Sequence, residues 1–339
     1  VENIVADIFL LGEAWGEAEE REGKPFVGTS GYILNGMLQH AGIARKDCHV
    51  SNVFNLRPQP KNDVVNLCGS KAEGIPGLPT LTKGKYVRKE FQGELERLYR
   101  ELEEVRPNVV VALGATAAWA LLGTSGIRNI RGAPALGRGG IKVVPTYHPA
   151  AVARDWTLRP IVVSDLDKAL RQSTFPELRR PQRFIHIEPT LNDLTEFEYK
   201  YIRPSKDLSV DIETQQDQIT CIGFAPSTDR CLVVPFYNPA QSDGNYWRSH
   251  ADEMKAWAWV RRMCGLRKSY TFQNGLYDMH FLWKQYGITV PFADDDSMLL
   301  HHALQPEMEK GLGFLGSIYT AEPSWKFMRT KHETLKKED

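Results

Sequence analysis

Two groups of residues in this chain have the types and spacing that chemistry needs. The first is a set of glycine-rich, polar loops: 12–20 (GEAWGEAEE) with 23–28 (GKPFVG), 51–58 (SNVFNLRP), 109–114 (VVVALG) and 145–151 (PTYHPAA). In a parallel sheet such loops collect at the carboxyl ends of the strands, where ligands bind. One glycine- and glutamate-rich turn is ordinarily a solvated connection; several in this order favour a site. The second group is acidic. Asp211 and Glu213 sit two apart at the end of an apolar run, so strand alternation puts both carboxylates on one side. A D-x-E on a strand is common by itself, but Asp278, in 272–282 (FQNGLYDMHFL), and the run Asp294-Asp-Asp296 follow it.

The elements that must carry these residues fall into two patterns. Residues 8–11 form a short apolar run closed by Gly12, and Ile33, Leu34, Met37 and Leu38 then recur at helical spacing. A second strand runs over 50–56, and residues 61–89 have no clear period and read as an excursion or mobile loop. Phe91, Leu95, Leu98, Leu102 and Val105 mark a helix before Pro107, followed by a strand at 109–113, a helix at 115–122 and a strand at 141–146. Repeated strand–helix units predict an α/β domain with a parallel sheet and helices on both faces. The polar, proline-punctuated stretch 173–181 (STFPELRRP) breaks that alternation. Beyond it, 208–212, 218–225 and 230–236 read as a β-meander followed by helices, an α+β pattern. The expected domains are 1–178 and 179–339.

Composition limits the function classes. With 339 residues, 42% apolar and 25% charged, the chain is long enough for two domains and too polar for a membrane protein. The first residues lack a basic region and a cleavage site, so a cytoplasmic location is expected. Five scattered cysteines, none spaced C-x-x-C, argue for free thiols. Forty-two basic residues balance forty-two acidic ones, so any contact with a polyanion depends on local patches such as 83–89 and 128–138.

The first set of loops resembles the uracil-DNA glycosylase superfamily, and family 4 within it, over about residues 5–172. The carriers are G-E-x-x-G-x-x-E at 12–19, P-F-V-G at 25–28, S-N-V at 51–53 and H-P at 148–149. The resemblance implies that His148 hydrogen-bonds the leaving uracil and that Glu13 orients water near the sugar C1′. It also implies that Phe26 stacks on the flipped base, that Asn52 reads the uracil edge, and that Glu19 lies where thymine would carry its methyl. The chemistry suits those types. Breaking the N-glycosidic bond builds positive charge on the sugar and negative charge on the base, and a positioned group for each is worth about 2–4 kcal/mol. Base extrusion costs a few kcal/mol and favours mispaired or single-stranded sites. Helix starts at 29–31 and 149–151 offer backbone amides for phosphates.

Two departures are visible. Trp15 stands where the family has proline and would modify the pocket. The family's iron–sulfur cluster requires four cysteines, and here none precedes Glu13 while Leu56 holds the position of the third. No cluster is therefore expected, and no cofactor for the glycosylase.

The carboxylates after residue 205 resemble the 3′→5′ exonuclease domain of family A DNA polymerases, phage-type ones especially, a ribonuclease H-like α+β fold. The resemblance implies Asp211, Glu213 and Asp278 as ligands of Mg²⁺ or Mn²⁺, with Asn274 supporting the second motif. Asp294–Asp296 read as a helix entry and cap. The late Y-x-x-x-D motif is missing, since 335–339 (LKKED) has the spacing without the tyrosine; a chain truncated before it, from a longer polymerase, is the simplest reason, and an intact chain with a crippled exonuclease is the other. The resulting expectation is an enzyme that excises uracil from DNA and carries a nuclease domain. The alternative is a DNA-binding module, weak or inactive in catalysis, that positions a nuclease or polymerase.

Overall fold

The computed structural model describes residues 7–322. The chain divides into two compact units, one of residues 1–179 together with the segment from Gly313, the other of residues 180–312.

In the first unit the strands are β1 (Ile8–Ala14), β2 (Cys48–Phe54), β3 (Cys68–Gly69), β4 (Tyr86–Val87), β5 (Val109–Leu113), β6 (Ala135–Leu136) and β7 (Lys142–Thr146). Between and after them run α1 (Glu17–Glu22), α2 (Thr29–His40), α3 (Gln92–Val105), α4 (Ala115–Leu122), α5 (Ile127–Ile130), α6 (Pro149–Arg154) and α7 (Arg159–Gln172). The main sheet has the order β2-β1-β5-β7-β6, parallel throughout except for β6. Its central strands are buried on both faces, which is why they read as unbroken apolar runs rather than alternating ones. Two apolar clusters flank the sheet, one with α3 and α4, the other with α2, α6 and α7.

Residues 61–89 are not the loose excursion their lack of period suggests. Leu67, Ile75, Leu81 and Val87 are buried in the same cluster as α3 and α4, β3 pairs with β4, and Trp119 Nε1 donates to Pro79 O at 2.9 Å. Single apolar side chains dropped from irregular backbone anchor as well as a periodic face does, but leave no period to read.

The basic stretch 128–138 is also not a phosphate track along its length. Arg131 is buried and makes a bidentate pair with fully buried Asp165, whose second oxygen also accepts from Thr146 Oγ1 at 2.7 Å. The segment after the second unit completes this network. Arg131 Nη1 donates to Ser317 Oγ at 2.7 Å, and Lys168 Nζ donates to the carbonyls of Gly132, Ser317 and Thr320.

In the second unit the strands are β8 (Phe184–His186), β9 (Asp207–Gln215), β10 (Gln218–Ser227), β11 (Arg230–Pro235), β12 (Ser269–Phe272) and β13 (Ala293–Asp296). Its helices are α8 (Leu191–Phe197), α9 (His250–Cys264), α10 (Gly275–Tyr286) and α11 (Ser297–Leu304); α12 (Leu312–Tyr319) leads back to the first unit. The sheet order is β13-β12-β9-β10-β11-β8. The expected meander β9-β10-β11 is antiparallel, and β12 and β13 add parallel strands beside β9. The α/β unit and the α+β unit are thus the fold classes expected. Trp247 and Trp259 are buried in this core, and Trp257 stacks between Phe236 and Tyr286 at 3.8 and 4.1 Å.

Candidate active site

Six of the residues singled out in the first unit (Glu13, Trp15, Glu19, Phe26, Asn52 and His148) line one cavity of about 780 Å³ at the carboxyl ends of β1, β2, β5 and β7. Register explains the convergence. Gly12 of β1 lies opposite Asn52 of β2, so the loops that leave those strands open on the same side. Gly12 has to lack a side chain, because a Cβ there would lie 2.2 Å from Asn52 Oδ1 and 2.5 Å from the Phe26 ring. Gly114 has φ 95°, and a Cβ on it would press on His148 at 2.9 Å.

His148 caps α6. Its Nδ1 accepts from the backbone N–H of Ala150 at 3.1 Å, with Pro149 at the first helical position. A nitrogen that accepts an N–H carries no proton, so the neutral ring holds its proton on Nε2. Burial, with the nearby Arg154 charge, depresses the imidazole pKa to about 4, Glu19 opposing. The ring is therefore a neutral donor at physiological pH. The Ala150 amide is used in fixing that tautomer and is not free for a phosphate, contrary to the expectation for this helix start.

Glu13 behaves in the opposite sense. Burial, with the Asp63 charge, raises its carboxyl pKa, opposed by a short hydrogen bond from Thr116 Oγ1 and by the Arg154 charge. Phe26 adopts φ 54°, and its ring centroid lies 5.8 Å from that of His148. Gly31 allows this turn, since a Cβ there would sit 1.9 Å from Phe26 O. Asn52 is buried on the cavity wall, and its side-chain amide makes no hydrogen bond among the described residues. Glu19 lines the cavity too, but its carboxylate is engaged: Oε1 accepts from Val27 and Gly28 at 3.0 and 2.9 Å, Oε2 from Gly16 at 3.1 Å. It clamps the loop that carries Phe26. The indole Nε1 of Trp15 is buried with no hydrogen-bond partner among the described residues, while its backbone N–H donates to Leu56 O at 3.1 Å.

A four-cysteine cluster does not fit the residues present. Leu56 packs against the α3–α4 apolar cluster, which contains Cys68, whereas Cys48 packs against the cluster on the other face of the sheet. Each thiol contacts a carbonyl of its own segment, Cys48 that of Ala44 and Cys68 that of Val64.

A family profile described as the uracil DNA glycosylase superfamily matches residues 1–179. The chain belongs to that superfamily. It is 34% identical over 171 residues to a type-4 uracil-DNA glycosylase of Thermotoga maritima, covering 49% of this chain and 78% of the relative. A type-4 uracil-DNA glycosylase of Archaeoglobus fulgidus is 33% identical over 180 residues, covering 50% and 77%. Among solved structures, the EXO domain of Aedes aegypti Nibbler aligns with 43% of this chain and 72% of its own at 12% identity and TM-score 0.32. Brucella melitensis NrnC with bound Mg²⁺ aligns with 41% of this chain at 14% identity and TM-score 0.27, and the chain spans 61% of that structure's length. Neither score adds to what the strand order of the second unit shows.

In that second unit, alternation along β9 leaves Asp211 and Glu213 on its exposed side. Asp278, on α10, turns back to the strand, and its Oδ1 accepts from Ile212 N at 2.9 Å. Burial and the Glu213 charge raise Asp211; burial raises Asp278 to about 6, with Asp211 adding to it and the Ile212 bond opposing. These are hard oxygen donors of the kind a divalent cation takes. Yet among the described residues no three His, Cys, Asp or Glu side chains gather closely enough to hold one. Asp296 is structural, as the reading of 294–296 expects. It accepts from the backbone N–H groups of Asn274, Gly275, Met298 and Leu299, capping α10 and α11 at once. Asn274 is the left-handed N-cap of α10 and makes no side-chain cap bond. Residues 335–339 lie outside the described residues.

Proposed function

We propose that the first unit hydrolyses the N-glycosidic bond of uracil in DNA, with Glu13 and His148 as its catalytic residues. The observation that carries this is the His148 tautomer. A ring kept neutral, with Nδ1 engaged as an acceptor and its proton on Nε2, can donate that N–H to the oxygen of a departing uracil and stabilise the anion that forms. Glu13, held by Thr116, supplies the negative charge that a developing sugar cation and its attacking water need. Phe26 offers a face for the extruded base, and the unengaged Asn52 amide offers a donor and an acceptor to its edge. Glu19 contributes by holding the Phe26 loop. Trp15 adds bulk to the same wall and is the residue most able to change base choice.

For the second unit, the donor set supports a phosphodiester-cleaving nuclease acting at 3′ ends. Asp211, Glu213 and Asp278 are assigned to Mg²⁺ or Mn²⁺ by their hard oxygen donors, although as they stand no three such side chains among the described residues gather closely enough to hold the ion. A polymerase partner domain, a phage source and a cytoplasmic location belong to the same proposal; among the described residues no helix is long and apolar enough to cross a membrane. The alternative of a reader without catalysis draws on the two departures, Trp15 and the missing cluster cysteines.

The test is incubation of the chain with uracil-containing single-stranded DNA followed by alkali. Strand breaks at uracil that disappear in Glu13→Ala and His148→Ala support the glycosylase; intact strands with the unaltered chain would sink it. Mg²⁺-dependent shortening of 3′ ends, lost in Asp211→Ala, tests the nuclease separately.

A further inference from the structure

β2 is the edge strand of the first sheet, and it carries Asn52. Because the Asn52 amide has no hydrogen-bond partner among the described residues, its position in the cavity depends on where its backbone is held. That backbone is gripped from one side by α3, through three residues spaced along one helix face: Glu94, Arg97 and Glu101. Arg97 Nη2 donates to Asn52 O at 2.7 Å and to Val53 O at 3.1 Å. Its other nitrogens reach Glu101 Oε2 at 2.6 Å, Ser51 Oγ at 3.4 Å and Glu94 Oε2 at 3.2 Å. Glu94 Oε2 in turn accepts from Asn55 N at 2.8 Å, and Glu101 also accepts from Ser51 Oγ and pairs with His49. Every residue from 51 to 55 except Phe54 is thus tied to this face.

A guanidinium is suited to the task, since its planar fork serves several acceptors in fixed directions where an ammonium acts as a point. The group is about three-quarters buried, enough to keep these bonds from exchanging freely with water.

We propose that Arg97 is a positioning residue for base recognition: by holding the carbonyls of Asn52 and Val53 it sets the Asn52 amide where a uracil edge is read. This rests on the glycosylase reading above. Arg97 touches neither substrate nor reacting atoms; it acts through Asn52.

A double-mutant cycle in the full chain tests it, with kcat and KM measured on uracil-containing single-stranded DNA and free uracil as a competitive inhibitor. Arg97→Met is expected to lower kcat/KM about tenfold, within the range of coupled neighbours, and to weaken inhibition by free uracil. In the Asn52→Ala background the same change is expected to cost less than about twofold. Equal losses in both backgrounds would overturn the proposal, because a residue that only supports the fold weakens both alike. If Arg97→Met does not fold, Glu94→Gln replaces it in the cycle: it loosens Arg97 while still accepting from Asn55 N, and the same pattern of outcomes applies. Failure of the unaltered chain to release uracil would count against the glycosylase reading itself.

Discussion

Glu13 in the first unit and Asp211 in the second are both strand carboxyls raised by burial, yet their surroundings differ in kind. Glu13 has a neighbouring carboxylate, Asp63, that adds to the shift, but also a hydroxyl donor, Thr116, and a cation, Arg154, that oppose it, and a neutral histidine lies across the same cavity. Asp211 has only another carboxylate to add to it, and Asp278 is raised by Asp211 in turn. The first site is organised by its own protein groups, which is what the proposed release of a neutral base from a sugar needs. In the second, Asp211 is raised by Glu213 beside it and Asp278 by Asp211, so neighbouring acids act on one another. Such an arrangement suits a site whose counter-charge comes from outside, and it costs the fold stability meanwhile.

That contrast can be broken at several points, beginning with the frame behind His148. Arg131→Met would leave the fully buried Asp165 carboxylate with only the Thr146 hydroxyl and the Lys168 charge, and a loss of about 3 kcal/mol is expected in denaturant unfolding of the first unit. A loss within experimental error would mean that the network does not support the β7 end. His148→Ala should lower glycosylase kcat by roughly 10²–10³-fold, as for the loss of a single oxyanion donor. The remaining activity should show no acid limb from the ring, whose pKa near 4 already lies below the assay range.

Asp296→Ala should destabilise the second unit by about 1–2 kcal/mol, because one carboxylate caps two helices. Asp278→Asn should do the reverse. A carboxyl whose folded pKa, about 6, lies above its unfolded value contributes stability that is complete below the unfolded pKa and lost as pH rises through 6. Removing its charge should therefore stabilise the unit at pH 7, on the order of 1–2 kcal/mol after screening, with no gain at pH 4. A destabilised variant at pH 7 would show that the charge is already balanced. The smallest effect concerns Glu13. Thr116→Ala removes the hydrogen bond that opposes the raised pKa, so the acid limb of kcat/KM should move to higher pH. An unmoved limb would assign it to another group.

Most of the fold was legible because buried parallel strands such as β5 and β7 announce themselves as apolar runs, and α3 shows its apolar face at helical spacing. Residues 61–89 were not, since Leu67, Ile75 and Leu81 reach the core from irregular backbone. The cavity residues were legible as motifs, whereas their division of labour was not. Glu19 reads as a base contact and turns out to hold three backbone amides. Arg97 carries no motif at all; the only signal was its place on a helix with Glu94 and Glu101, which looks like an ordinary solvated charge pattern.

By itself, the sequence determined which residues would meet. The order of strands and the glycines at 12 and 114 are local properties, and they oblige the loops carrying Glu13, Asn52 and His148 to open at one end of one sheet. Only the tertiary structure decided their chemical states. The proton on His148 Nε2, the raised carboxyl of Glu13 and the buried pairing of Arg131 with Asp165 arise from burial and from partners distant in the chain. Desolvation and hydrogen bonding act through space, and no local spacing encodes them.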